Sequence, residues 1–203
     1  MVSGGQAQPR LVLASGSPRR REILEKLGLV FEVCKSNVEE PPFSEGDPAD
    51  YALGLAIRKA EAVAEALPRA CVLGADTIVV CDGKVLGKPC DDGEARRMIT
   101  ALAGHTHEVV TAVALKGAAT GALVETTSVT FRALSPAEVD GYVATGEGRD
   151  KAGAYGVQGI GAGLVTRIEG SYSNVVGLPA AETLLLLRRA GVLSAWPSPM
   201  HGP

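Results

Sequence analysis

An α/β fold built on a mixed sheet is what this sequence predicts, on three observations. Short apolar runs alternate with helical stretches along nearly the whole chain. Some neighbouring strands are joined by tight turns, at Asp82-Gly83 and around Gly117 to Gly121, which pair antiparallel strands. Others are separated by helices, as crossover connections require. The 203 residues, 46% hydrophobic and 21% charged, suffice for one domain with a full core and two lobes around a cleft.

The elements follow in order. Met1 to Arg10 and Ser194 to Pro203 are rich in Gly, Pro, Ser or Gln and read as flexible tails around a domain spanning 11–193. Leu11 to Ala14 is a short apolar strand. Arg19 to Leu27 is helical and stopped by Gly28, and Phe31 to Lys35 is a second strand. A polar loop from Ser36 to Gly46 leads to Asp47-Pro48, an N-cap and first-turn proline that open an Ala-rich helix to about Leu67. Cys71 to Cys81 is a strongly apolar strand, turned by Asp82-Gly83 into Lys84 to Leu86. Asp91 to Ala103 is helical. Glu108 to Leu115 and Leu123 to Leu134 are strands, and His105-Thr106-His107 falls in the loop before them. Pro136 to Thr145 is a short helix, Leu164 to Ile168 a strand, and Pro179 to Ala190 a final helix ended by Gly191.

Composition excludes several function classes. With 20 Lys+Arg against 23 Asp+Glu there is no broad basic field for nucleic acid, so an anionic ligand must be met by a local cluster of cations. No apolar stretch is long enough for a bilayer, and the amino terminus lacks the pattern of a secretory signal. Cys34, Cys71, Cys81 and Cys90 contain no C-x-x-C pair and read as reduced cytosolic thiols.

Several polar residues stand where apolar ones are expected. Asp76 lies inside Val72-Leu73-Gly74-Ala75-Asp76-Thr77-Ile78-Val79-Val80, on the face of Ile78 and Val80. A buried carboxylate must be paired, protonated, metal-bound or open to a cleft. A structural ion pair and a functional group both satisfy that demand. Lys59 projects from the apolar stripe of Leu55, Ala56, Ala62 and Val63 and raises the same question, with snorkelling along the stripe edge the reading its own segment favours; Arg58, with Glu61 nearby, reads as solvated surface.

Ser15-Gly16-Ser17-Pro18-Arg19-Arg20 turns from strand to helix with Ser17 as cap and Pro18 at the first helical position, giving free N–H groups beside two arginines. That is either a phosphate seat or a capped helix with exposed arginines. Lys88 is stiffened by Pro89. Glu39-Glu40 becomes a divalent-cation pair with Asp76 only if its loop folds over that residue. The Gly-rich Asp150 to Gly161 segment is no P-loop. Its Gln158 amide offers a donor and an acceptor to the edge of a pyrimidine.

Taken in order, Leu13-Ala14-Ser15-Gly16-Ser17-Pro18-Arg19-Arg20, Lys59-Ala60, Gly74-Ala75-Asp76-Thr77, Gly87-Lys88-Pro89 and Asp150-Lys151-Ala152-Gly153-Ala154-Tyr155-Gly156-Val157-Gln158-Gly159 resemble the Maf family of nucleotide pyrophosphatases. Gly170 to Pro179 fits as well. The resemblance implies an inosine-triphosphatase-like fold, an elongated mixed sheet with flanking helices. It implies hydrolysis of a nucleoside triphosphate to monophosphate and pyrophosphate with a divalent metal such as Mg or Mn, in a cytoplasmic homodimer. Asp76 matches the proton acceptor. Arg19, Thr77 and Gln158 match positions linked to substrate choice, and Lys59 and Lys88 match phosphate-binding lysines. Ser15, Ser17 and Arg20 belong to the matching phosphate turn. Glu40, or Glu39 beside it, matches a metal carboxylate that shares the ion with Asp76. The Gln158 form resembles the subgroup acting on dTTP and UTP. A different function class, a non-catalytic nucleotide sensor regulating cell division, would not need carboxylates and phosphate cations together.

Overall fold

A computed structural model describes residues 9–196. Seven strands form one sheet: β1 (Leu11–Leu13), β2 (Glu32–Val33), β3 (Cys71–Cys81), β4 (Lys84–Leu86), β5 (Thr106–Gly117), β6 (Gly121–Phe131) and β7 (Val165–Glu169). Their order is β2-β1-β3-β5-β6-β7, with β4 on β3. β1 runs parallel to β2 and β3, and the remaining pairs are antiparallel, so the sheet is mixed as expected. The helices are α1 (Pro18–Lys26), α2 (Pro48–Ala64), α3 (Asp92–Leu102), α4 (Pro136–Ala144), α5 (Tyr172–Val176) and α6 (Ala180–Arg189).

Helices cover both faces of the central strands. The even-numbered side chains of β3 and β5, among them Val72, Ile78, Val110 and Ala112, pack under α2. The odd-numbered ones pack under α1 and α6 around Leu73 and Leu115, and under α3 and α4 around Val79 and Val109. Two-sided coverage explains why β3 reads as a continuous apolar run and not as an alternation. Gly74 lets α2 lie against it: a Cβ there would stand 2.3 Å from the Ala56 carbonyl oxygen and 2.7 Å from the Ala60 nitrogen. At the β3–β4 hairpin, Asp82 (φ 48) and Gly83 (φ 73) are both left-handed, the turn that matches strand twist.

One edge of β3 pairs with β5 over its length, from Cys71 to Val80. The other edge is shared. β1 takes Cys71 to Leu73 and β4 takes Val79 to Cys81. Between them, Gly74 to Ile78 has no strand beside it, because the chain leaves β1 at Ala14 and turns into α1. Strands that diverge in this way leave a crevice at their carboxyl ends.

The helices and strands expected from sequence are present within a few residues, with three differences. The strand expected at Phe31 to Lys35 is ordered only over Glu32–Val33. His107, expected in a loop, is the second residue of β5 and is buried. Arg58 bonds the Glu39 carbonyl, while Glu61 pairs with Lys116. Most of both expected tails lies outside the described residues. At their inner edges Arg10 pairs with Glu32, and Trp196 donates to the Leu27 carbonyl. All four cysteines are free, and no helix among the described residues is long and apolar enough to cross a membrane.

Candidate active site

The open edge of β3 forms the floor of a cleft of ≈ 660 Å³. Every site residue named from sequence lines it: Ser15, Ser17, Arg19, Arg20, Glu40, Lys59, Asp76, Thr77, Lys88 and Gln158. Adjacent residues on a strand point to opposite faces, so Asp76 enters from the α2 side and Thr77 from the α1 side.

On the α2 side, Lys59 is buried rather than snorkelling. Its ammonium lies 2.5 Å from Asp76 Oδ1 and 2.7 Å from Glu40 Oε1. The polar loop does fold over Asp76, and Glu40 is the residue it delivers. Glu39 contributes only its carbonyl, to Arg58. No group among the described residues donates to Asp76 Oδ2 or Glu40 Oε2. Burial pushes the Asp76 carboxyl up from its ordinary value, against the pull of Lys59 and Arg20. At the more exposed Glu40, burial also raises, but the Lys59 hydrogen bond and charge, with Lys88 and Arg20, win and hold it below the usual range. The two carboxylates therefore differ in proton affinity although they share one lysine.

On the α1 side, Arg20 is held at three neutral oxygens: its Nε donates to the Gly177 carbonyl at 2.9 Å, and its terminal nitrogens to Ser15 Oγ at 3.3 Å and Thr77 Oγ1 at 3.0 Å. Thr77 Oγ1 is braced in turn by Thr111 at 2.9 Å. Ser17 caps α1 and Ser15 Oγ accepts the Ser17 N–H, so both serines shape the turn. Burial pushes the Arg20 guanidinium down from its ordinary value and Asp76 pulls it up; a guanidinium stays charged in either case. Among the described residues neither Arg20 nor Lys88 has a carboxylate partner within ion-pair distance, whereas Arg19 is paired with Asp150 at 2.8 Å. A fixed, partly buried cation hydrogen-bonded only to neutral oxygens favours an incoming anion.

Sequence reasoning missed two features. α5 carries Asn174, fully buried, whose amide bonds the Val109 carbonyl and Thr127. It also sets the Gly177 carbonyl that holds Arg20. The Ser171 cap was the available signal. The Arg19–Asp150 pair, across 131 positions, has no local pattern to announce it.

Five cations line the cleft, Arg19, Arg20, Lys59, Lys88 and Lys151, against four carboxylates, Glu40, Asp76, Glu147 and Asp150. A ligand with about four negative charges, as a nucleoside triphosphate has at neutral pH, needs more positive charge than that balance supplies. No group of three or more His, Cys, Asp or Glu among the described residues is gathered as a metal cage. The two free oxygens of Asp76 and Glu40 nevertheless fit a hard dication of the Mg type, which takes one or two protein carboxylates and completes its shell with phosphate and water.

Residues 10–190 match the Maf-like protein family. The dTTP/UTP pyrophosphatase of Anaeromyxobacter dehalogenans strain 2CP-1 is 52% identical over 196 residues, 94% of this chain and 99% of its own. That of Moorella thermoacetica is 53% identical over 186 residues, 90% of this chain and 96% of its own. Among solved structures, the Staphylococcus aureus Ham1 protein overlaps 60% of this chain and 71% of its own at 19% identity, with a TM-score of 0.41. Matched across nearly all of its length, the chain belongs to the Maf-like protein family.

Proposed function

We propose that this chain hydrolyses dTTP and UTP to the monophosphate and pyrophosphate. The observation that carries the reading is the pairing, across one open strand edge, of an anion-ready Arg20 with a carboxylate oxygen, Asp76 Oδ2, that no group among the described residues occupies. The activity for which its relatives are named, dTTP/UTP pyrophosphatase, supports it.

In this reading the triphosphate lies over the gap between β1 and β4. Arg20, Lys88 and Arg19 meet its oxygens, Arg19 exchanging Asp150 for phosphate. Asp76 and Glu40 hold a divalent cation, Mg or Mn, which supplies charge neutralisation and Lewis acidity when bound. Asp76, on the Oδ2 lone pair that the cation leaves free, orients a water and accepts its proton as the water oxygen bonds to the α-phosphorus. The bond from that phosphorus to the bridging oxygen breaks, and pyrophosphate leaves. Lys59 pulls the Asp76 carboxyl back towards its charged form against its burial. Gln158, exposed in the same cleft, reads uracil or thymine through N3–H and a carbonyl.

The test is direct. Asp76→Asn, assayed on UTP with Mg, is expected to stay folded and to lose turnover by about 10²–10⁴, the span for removal of a general base. Near-normal turnover contradicts the assignment. Gln158→Ala is expected to narrow the preference for UTP and dTTP over GTP. A wild-type enzyme equally fast on GTP rejects the base reading.

A further inference from the structure

Gln158 enters the cleft from Gly156 to Gly161, a stretch that is half glycine and has no strand partner among the described residues. Side chains from outside hold it at two points. The Tyr142 hydroxyl oxygen accepts the Gly156 N–H at 3.2 Å, and Glu147 Oε2 accepts the Gly161 N–H at 2.9 Å. Gln158 lies midway between these bonds. Val157 buries its side chain in the core, so the span that depends on Glu147 runs from Gln158 to Gly161.

The segment is fitted to its two holders. A Cβ on Gly159 would lie 1.9 Å from Glu147 Oε1; one on Gly161 would lie 2.3 Å from the Gly156 carbonyl oxygen and 2.9 Å from the Tyr142 hydroxyl. Glu147 is itself tied down. Its N–H donates to Thr145 Oγ1 and its carbonyl accepts from the Lys151 ammonium. Its side chain faces the same cleft as Gln158, and nothing in the phosphate chemistry above uses it.

We infer that Glu147, with Tyr142, is a positioning residue for base selection, fixing the backbone that aims the Gln158 amide. The inference rests on the reading of Gln158 as the base-contacting group. An exposed amide on a glycine-rich loop has many orientations. It discriminates a uracil edge only if one of them is held before the base arrives. The two bonds to Gly156 and Gly161 supply that constraint from the protein side.

The experiment compares kcat/KM for UTP and GTP, with Mg, in the full-length enzyme and in Glu147→Ala, Glu147→Gln and Tyr142→Phe. Glu147→Ala is expected to lower the UTP-to-GTP ratio about tenfold, mainly through KM for UTP. Glu147→Gln is expected to recover most of it, since its carbonyl oxygen still accepts the Gly161 N–H. Tyr142→Phe keeps the buried ring and loses only the hydroxyl. It is expected to move the ratio in the same direction and carries the test if Glu147→Ala fails to fold. An unchanged ratio, an equal fall on both nucleotides, or a Gln variant as impaired as Ala overturns the inference. A wild-type enzyme that does not favour UTP removes the base reading and this inference with it. One that favours UTP with variants unchanged removes this inference alone.

Discussion

At Asp76, burial and two cations pull the carboxyl in opposite directions, and burial prevails. The acid limb of kcat/KM is therefore expected above the ordinary aspartate value of about 3.9, with activity falling as pH falls through it. Lys59→Met removes a cation that lowers this pKa, so the limb should move to higher pH. A pH–rate profile of both proteins checks this, and a limb that stays put contradicts the role given to Lys59. The same shift has a consequence for stability. A carboxyl whose folded pKa exceeds its unfolded value loses stability as pH rises from the unfolded value through the folded one. Asp76→Asn should then melt no lower than wild type at pH 7; a marked drop in Tm contradicts it. Asp76 and Lys59 were legible in the sequence because each charge interrupts an apolar pattern. Their partnership was not, since 17 residues and a change of element separate them. Nor was the choice between Glu39 and Glu40, which depends on how the Ser36 to Gly46 loop folds over the cleft.

The pairing of α2 with β3 sets the reach of Lys59 to Asp76, and two glycines in these elements should respond oppositely to alanine. Gly74→Ala drives a methyl into the α2 backbone and should cost about 1–3 kcal/mol, the range for overpacking. Gly54, inside α2 with nothing within 4 Å of a built Cβ, should gain about 0.5–1 kcal/mol as alanine. Urea unfolding of the two variants checks both signs; equal effects contradict the packing described. β3 and β4 were readable to their end residues because a continuous apolar run meets an Asp-Gly turn. α5 was not. It spans 5 residues and is held by Ser171, Asn174 and the sheet beneath rather than by any helical periodicity. His107 was misplaced for a related reason. Thr-His-Glu carries no apolar alternation, yet tertiary packing puts the imidazole against the edges of Phe131 and Tyr155, with Nε2 2.8 Å from the Tyr155 hydroxyl.

For the molecule as a whole, that buried imidazole couples the fold to pH. Burial pushes His107 down to about 4, and its Nδ1 has no partner among the described residues. A base with a depressed folded pKa leaves the unfolded chain to take the proton first, so stability falls as pH drops from about 6.5 to about 4. The loss should approach about 3 kcal/mol, and His107→Gln should remove that slope. Denaturation at pH 7, 6 and 5 measures it; parallel curves for the two proteins contradict the account. At this scale the site exists because β1 and β4 share one edge of β3 and leave Gly74 to Ile78 open. Five sequence segments meet there that no local pattern joins. The most direct measurement of the proposed reaction is the fate of solvent oxygen. With UTP and Mg in ¹⁸O-labelled water, water attack at the α-phosphorus puts the label in UMP and leaves pyrophosphate unlabelled. Label in pyrophosphate or in inorganic phosphate, or release of UDP, contradicts the chemistry assigned to Asp76.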